Sequence, residues 1–150
     1  MSGTKQPAAL LAELTALEVA YWYDVDFNWG RTASQLYVED GVFAIGDSRM
    51  EGRAAVAEFY RWREGRGVRT ARHVVTNFRL EAFSGDSATL RCILLLYAAA
   101  GAPVLPSLPA IMIGDIVSEC VRSADGRWCY RAHLLSPVFM GGEPPTVKPK

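Results

Sequence analysis

The chain has 150 residues, half of them apolar and about a fifth charged, which suits an ordinary globular protein with a proper hydrophobic core. Sixteen basic residues balance sixteen acidic ones, so no overall field favours nucleic acid or an anionic membrane surface. Cys92, Cys120 and Cys129 are scattered and odd in number, which argues against a disulfide framework or a zinc knuckle and for reduced, buried thiols.

The N-terminal "MSGTKQPAALLAEL" places Glu13 where a signal peptide would need uninterrupted apolar residues, and no segment is long enough to span a bilayer. A cytoplasmic location is the expectation. "KQPAALLAELTALEVAYWYDVDFN" then reads as a first helix, with Pro7 suited to its start and Gly30 just past its end. Leu10, Leu14, Leu17 and Tyr21 recur at spacings of four and three and gather on one face. At about 100° per residue, Asp24 falls on the edge of that stripe and Asp26 points well away from it. Asp24 is therefore expected as a carboxylate tucked against the core.

"EDGVF" reads as a turn into a short strand, and "EGRAAVAEFYRWREGRG" as a second helix with Val56, Phe59, Tyr60 and Arg63 on one side. The arginine-rich "RWREGRGVRTAR" is read as a solvated helix end and loop. The texture then changes to strand. "VRTARHVVTNFRLEAF" runs to an "SGD" turn, "SATLRCILLLYAAA" returns, and "AIMIGDIVSECVRS" meets "RWCYRAHLL" through "ADG", whose Asp-Gly is a hairpin signal. Helices followed by a long antiparallel meander make an α+β fold. One domain is expected, with an ordered core over about 8–140 and a flexible Pro/Lys-rich tail over 141–150. The aliphatics of "GAPVLPSLPAIMI" need cover, which predicts a homo-dimer or homo-trimer.

His73 sits in a β-branched run, a titratable group where Val or Ile is usual. Strict alternation groups it with Val75, Asn77, Arg79 and Glu81, while Val74, Phe78 and Leu80 form the cleaner apolar face. Either the face changes role along a bent sheet, or a bulge re-aims the side chain. Asp115, between Ile113 and Val117, faces apolar surroundings as a second acid or pairs with an arginine on a neighbouring strand. His133 shares its strand face with Arg127, Cys129 and Arg131, a rim or surface pattern. There is no closely spaced His pair, no CxxC and no carboxylate cluster at ligand spacing, so no metal site is expected.

In order and spacing, "YWYDVDFNW", "LYVEDGVF", "EGRAAVAEFY", "RTARHVVTNFRLE" and "SADGRWCYRAHLL" resemble the SnoaL-like superfamily, and within it scytalone dehydratase-like proteins. The resemblance covers roughly Leu10 to Phe139. It implies a cone-like α+β fold of the nuclear-transport-factor-two type, with a strongly curved, mainly antiparallel sheet wrapped around N-terminal helices and enclosing an apolar pocket. It also implies a cofactor-independent dehydratase or isomerase working by acid/base catalysis on a small apolar ring compound bearing hydroxyl or carbonyl groups. The family's Tyr-Asp pair corresponds to Tyr23 and Asp24, and its histidine in the "R-T-x-H" strand to His73. Asp24 would orient His73 as the base.

At other family positions this chain departs. Phe43 replaces a tyrosine, Tyr97 or Ala98 stands where a second histidine is expected, and Asp115 and Val117 replace a serine and an asparagine. The resemblance places His133 near the pocket lining. Phe43, Tyr97, Asp115, Val117 and His133 are accordingly the expected substrate-binding set, with Tyr23 or Tyr97 able to donate to a substrate carbonyl. Rival readings are a non-catalytic ligand- or partner-binding domain, and an accessory subunit resembling the small subunit of aromatic-ring dioxygenases.

Overall fold

The computed structural model describes residues 6–141; the expected tail lies, from 142 on, outside them. The chain builds helix α1 (Ala8–Asn28), a short 3-10 turn (Ala33–Leu36), β1 (Tyr37–Ile45), β2 (Ser48–Glu51), helix α2 (Arg53–Glu64), β3 (Arg69–Ser84), β4 (Ser87–Ala100), β5 (Met112–Arg122) and β6 (Trp128–Met140). The strands form one curved sheet in the order β2-β1-β6-β5-β4-β3. Every neighbouring pair is antiparallel except β1 with β6, which run parallel. The helices pack on this sheet and bury Leu14, Tyr21, Trp22, Val25, Val56 and Phe59 with inward strand residues such as Tyr37, Phe43, Leu94, Ile116 and Leu135. The expected α+β cone is the observed architecture.

Two details shift the expected picture of local structure. "EDGVF" is not a turn: Glu39 to Phe43 lie within β1, whose parallel register with β6 slips between Tyr37 and Val42. The Ala98–Ile111 segment starts at inward-facing Ala98 and ends at buried Ile111, and between them it lies beside Arg72 and Tyr97 and exposes Val104 and Leu108.

Helix α1 ends where Trp29 and Gly30 adopt left-handed backbone at φ 60° and 72°, a conformation that glycine accepts without the Cβ penalty. Gly30 has a second role. A Cβ there would lie 2.5 Å from Cδ1 of Tyr60, so the missing side chain makes the space that seats the Tyr60 ring.

Two β-bulges decide what faces the core. In β3 the pairing with β4 slips between Thr76 and Arg79, with Asn77 at φ 58°. On the near side Ala71, His73 and Val75 turn inward, and on the far side Phe78 and Leu80 do. In β6 the pairing with β5 slips between the Glu119–Ala132 and Cys120–Tyr130 pairs, leaving Arg131 as the extra residue. Tyr130 and His133 both point inward as a result, three residues apart instead of two.

Candidate active site

His73 projects from the near half of β3 towards the last turn of α1, where Asp26 grips it twice. One carboxylate oxygen accepts the His73 backbone N–H at 2.8 Å and the other accepts Nδ1–H at 2.6 Å. A carboxylate bonded in this way fixes both the tautomer and the tilt of the ring. The indole of Trp22 lies flat against the imidazole, with centroids 4.5 Å apart and planes 16° apart. Both side chains of the pair are nearly buried, at 7% and 6% exposed.

His73 lines a pocket between the helices and the sheet. Its apolar walls include Val25, Phe43, Phe59, Leu96, Met112 and Leu135, and its polar lining is His73, Tyr60, Arg63 and Arg69. With Nδ1–H committed to Asp26, Nε2 is the nitrogen left for the pocket. Burial holds the His73 imidazole below the ordinary histidine value of 6.5, outweighing the opposing pull of Asp26, and Arg63 and Arg69 add to the lowering. The ring is thus neutral near pH 7, the state a general base needs.

The sign of the resulting pH dependence follows. Between 6.5 and the lower folded value, the unfolded chain binds more protons than the folded one, so stability rises with pH across that window. Urea midpoints measured from pH 5 to 7 are expected to climb, with the His73 ring protons titrating below 6.5 by NMR. A His73 midpoint at or above 6.5 would contradict this.

A second histidine–carboxylate pair lies deeper, between α1 and β6. Glu18 and His133 are 0% and 1% exposed, and His133 Nε2 donates to the Glu18 carboxylate at 2.8 Å. Glu18 also accepts from Ser118 Oγ at 2.5 Å and from Trp22 Nε1 at 2.9 Å. Burial alone would raise the Glu18 carboxyl, but His133 together with these donors holds it below its ordinary value of 4.5. Trp22 therefore touches both pairs, by its ring face on His73 and by its N–H on Glu18.

The expected site residues fall into three groups. His73 and Phe43 line the pocket. Asp24 does not reach His73: its carboxylate accepts from Asn28 Nδ2 at 2.8 Å and from the backbone N–H and hydroxyl of Thr32 at 3.1 and 2.7 Å, closing the end of α1 onto the following turn. Asp26 takes the place foreseen for Asp24. Tyr23 is 65% exposed on the outer side of α1, against Phe27, and Tyr97 faces out beside the Pro-rich segment.

Asp115 and Val117 sit on the outer face of β5, because the buried positions of that strand are Gly114, Ile116 and Ser118. Asp115 lies 4.0 Å from Arg91 of β4, the arginine pairing that the sequence left open. His133 is neither rim nor pocket wall but a core residue. Tyr60, Arg63 and Arg69 were not singled out for the pocket. Tyr60 and Arg63 carried one usable signal, their shared inward side of α2. Among the described residues no group of three His, Cys, Asp or Glu could hold a metal ion.

A helix pair held by a curved, mostly antiparallel sheet around an inner pocket defines the cone-like α+β class. The SnoaL-like domain model matches residues 7–132, and the chain belongs to that family. No curated protein matches it in sequence. Solved structures share the fold at low identity. A provisionally named scytalone dehydratase from Novosphingobium aromaticivorans is 18% identical, with a TM-score of 0.78 over 93% of this chain and 91% of that one. A Catenulispora acidiphila protein in complex with S-DNPA is 20% identical, with a TM-score of 0.74 over 87% and 94%. The beta subunit of a provisionally named aromatic-ring-hydroxylating dioxygenase, also from N. aromaticivorans, is 11% identical, with a TM-score of 0.76 over 89% and 92%.

Proposed function

We propose that the pocket is the active site of a cofactor-independent lyase or isomerase acting on a small, apolar ring compound that carries a carbonyl or hydroxyl group. The observation that carries this reading is His73, locked through Nδ1 by Asp26 at the wall of an apolar pocket and left with Nε2 as a base. In the step envisaged, Nε2 removes a proton from carbon next to a carbonyl. The electron pair moves onto the carbonyl oxygen, where Arg63, Arg69 and the Tyr60 hydroxyl supply positive charge and a donor. Loss of a β-hydroxyl as water then completes a dehydration, and return of the proton elsewhere completes an isomerisation. Asp26 stabilises the imidazolium formed in between.

The proton-abstraction half can be tested before any natural substrate is known. 2-Indanone, a small cyclic ketone, incubated with the protein in D2O should exchange its α-protons faster than in buffer, as followed by proton NMR. Exchange no faster than with a His73→Ala variant would overturn the reading. The rival reading, an accessory or partner-binding domain, is favoured by one observation: the pocket interior is about 40 Å³, small beside the roughly 300–1,000 Å³ of typical ligand sites. It predicts no exchange above that of the His73→Ala variant.

The exposed Val104, Leu108, Phe139 and Met140 are consistent with the proposed homo-dimer or homo-trimer. No described helix is long and apolar enough to cross a membrane. The three unpaired, buried cysteines suit the proposed cytoplasmic setting.

A further inference from the structure

The buried pair does not end at His133. Its Nδ1 is 2.9 Å from the Tyr37 hydroxyl, which is 3.0 Å from that of Tyr21, which in turn is 2.6 Å from that of Tyr60. Of these groups only Tyr60 lines the pocket. An unbroken file of hydroxyls thus joins the pocket wall to the Glu18–His133 pair, drawing members from α1, β1, α2 and β6. We propose that this file is a proton relay, that Tyr60 is the acid presented to the ligand's oxygen, and that the buried pair is its proton store.

The hydrogen-bond directions allow two complete arrangements. In the charged one, His133 carries protons on both nitrogens, Nδ1–H donates to Tyr37, Tyr37 to Tyr21 and Tyr21 to Tyr60, so the Tyr60 proton is free for the pocket. In the discharged one, every O–H points the other way and ends on a bare Nδ1. Passing from the first to the second, Tyr60 gives its proton to the ligand oxygen and takes one from Tyr21. Tyr21 takes one from Tyr37, and Tyr37 takes the Nδ1 proton. One proton leaves the imidazolium, one reaches the ligand, and no heavy atom moves.

The surroundings favour the charged arrangement at rest. Glu18 is a fully buried carboxylate, and among the described residues His133 is the only cationic side chain bonded to it; Ser118 and Trp22 are neutral donors. An uncompensated buried charge is costly. The other titratable groups packed around the pair, Tyr130 stacked on His133 and Cys92 and Cys120 near Glu18, are pushed up by burial and stay protonated. Burial likewise pushes up the Tyr21 and Tyr37 hydroxyls, so no lasting tyrosinate interrupts the transfer.

The relay rests on the acid/base reading only in its last step, delivery to a ligand, and its test needs no ligand. The sequence holds just two histidines, so ring-nitrogen NMR of protein labelled with 15N-histidine resolves both. At neutral pH the wild type should show His133 with both nitrogens protonated beside a neutral His73. Tyr60→Phe leaves Tyr21 without an acceptor in the charged arrangement. The file should therefore reverse, with the His133 ring-nitrogen signals changing to those of the neutral Nε2–H form. Tyr21→Phe breaks the same file independently and should bring the same change, with the His73 signals unmoved. A neutral His133 in the wild type overturns the relay without any variant, as does a His133 that ignores both substitutions. A relay response without 2-indanone exchange would overturn the proposed activity alone, and exchange without a relay response would overturn the relay alone.

Discussion

Asp26→Asn is expected to cut His73-dependent proton exchange by about 10²- to 10⁴-fold in a protein that stays folded. The reason lies in the two-point grip on His73, whose backbone N–H and Nδ1 are 2.8 and 2.6 Å from the two carboxylate oxygens. An asparagine has one acceptor. If its oxygen keeps the backbone N–H, its NH2 faces Nδ1, which must then be the bare nitrogen. The proton moves to Nε2 and the base is lost, although ring and pocket keep their places. The same substitution at Asp24 should change exchange little, since that carboxylate serves Asn28 and Thr32. Deuterium incorporation into 2-indanone reads both variants, and wild-type exchange in Asp26→Asn would remove Asp26 from the mechanism.

The largest stability effect is expected at Glu18. Glu18→Ala strips the acceptor from three buried donors, on Ser118, Trp22 and His133. Breaking a buried pair by removing one partner costs about 3–5 kcal/mol, readable as a lower urea midpoint at pH 7. The sign in pH is equally definite. The folded Glu18 carboxyl titrates below 4.5, so its contribution is present above 4.5 and is lost as pH falls through the folded value. A Glu18→Leu, His133→Phe double variant should recover much of the loss, because apolar replacements of a whole buried pair are often neutral. No loss in Glu18→Ala would mean that the pair does not hold α1 to the sheet.

The order and type of most elements were legible in the sequence, because helical spacing, the "SGD" and "ADG" turns and the apolar strand runs all depend on near neighbours in the chain. The family pattern supplied the cone and singled out His73, which lines the pocket. The identity of its partner was not legible. The helix stripe drawn through Leu10, Leu14, Leu17 and Tyr21 left out Glu18 and Trp22, both of which are buried. Including them widens the buried face by about 80° of helix rotation towards Asp26, and β3 then closes over that flank.

Glu18 itself reads as solvent-exposed until its spacing of four from both Leu14 and Trp22 is taken seriously. His133 was misplaced for a different reason. Alternation along β6 fails at Arg131, and nothing in "CYRAHLL" marks that residue as extra. Asp115 and Val117 face outward on β5 because the strand buries Gly114, Ile116 and Ser118, and on a strand a shift of one residue exchanges the two faces.

The bulges at Asn77 and Arg131 together set a rule for how this protein can change. Each histidine faces inward only because one extra residue lies between it and the far part of its strand. Losing either residue would leave the strand's length almost intact yet swap inside for outside along one whole segment. Around these two bulges, lengthening or shortening β3 or β6 is therefore tolerable in steps of two but not of one, whereas the further slips past Leu80 in β3 and at Val138 in β6 lie in exposed strand ends. For relatives whose chains differ in length across these strands, the parity of the difference, more than its size, should show whether the two histidines still share an interior.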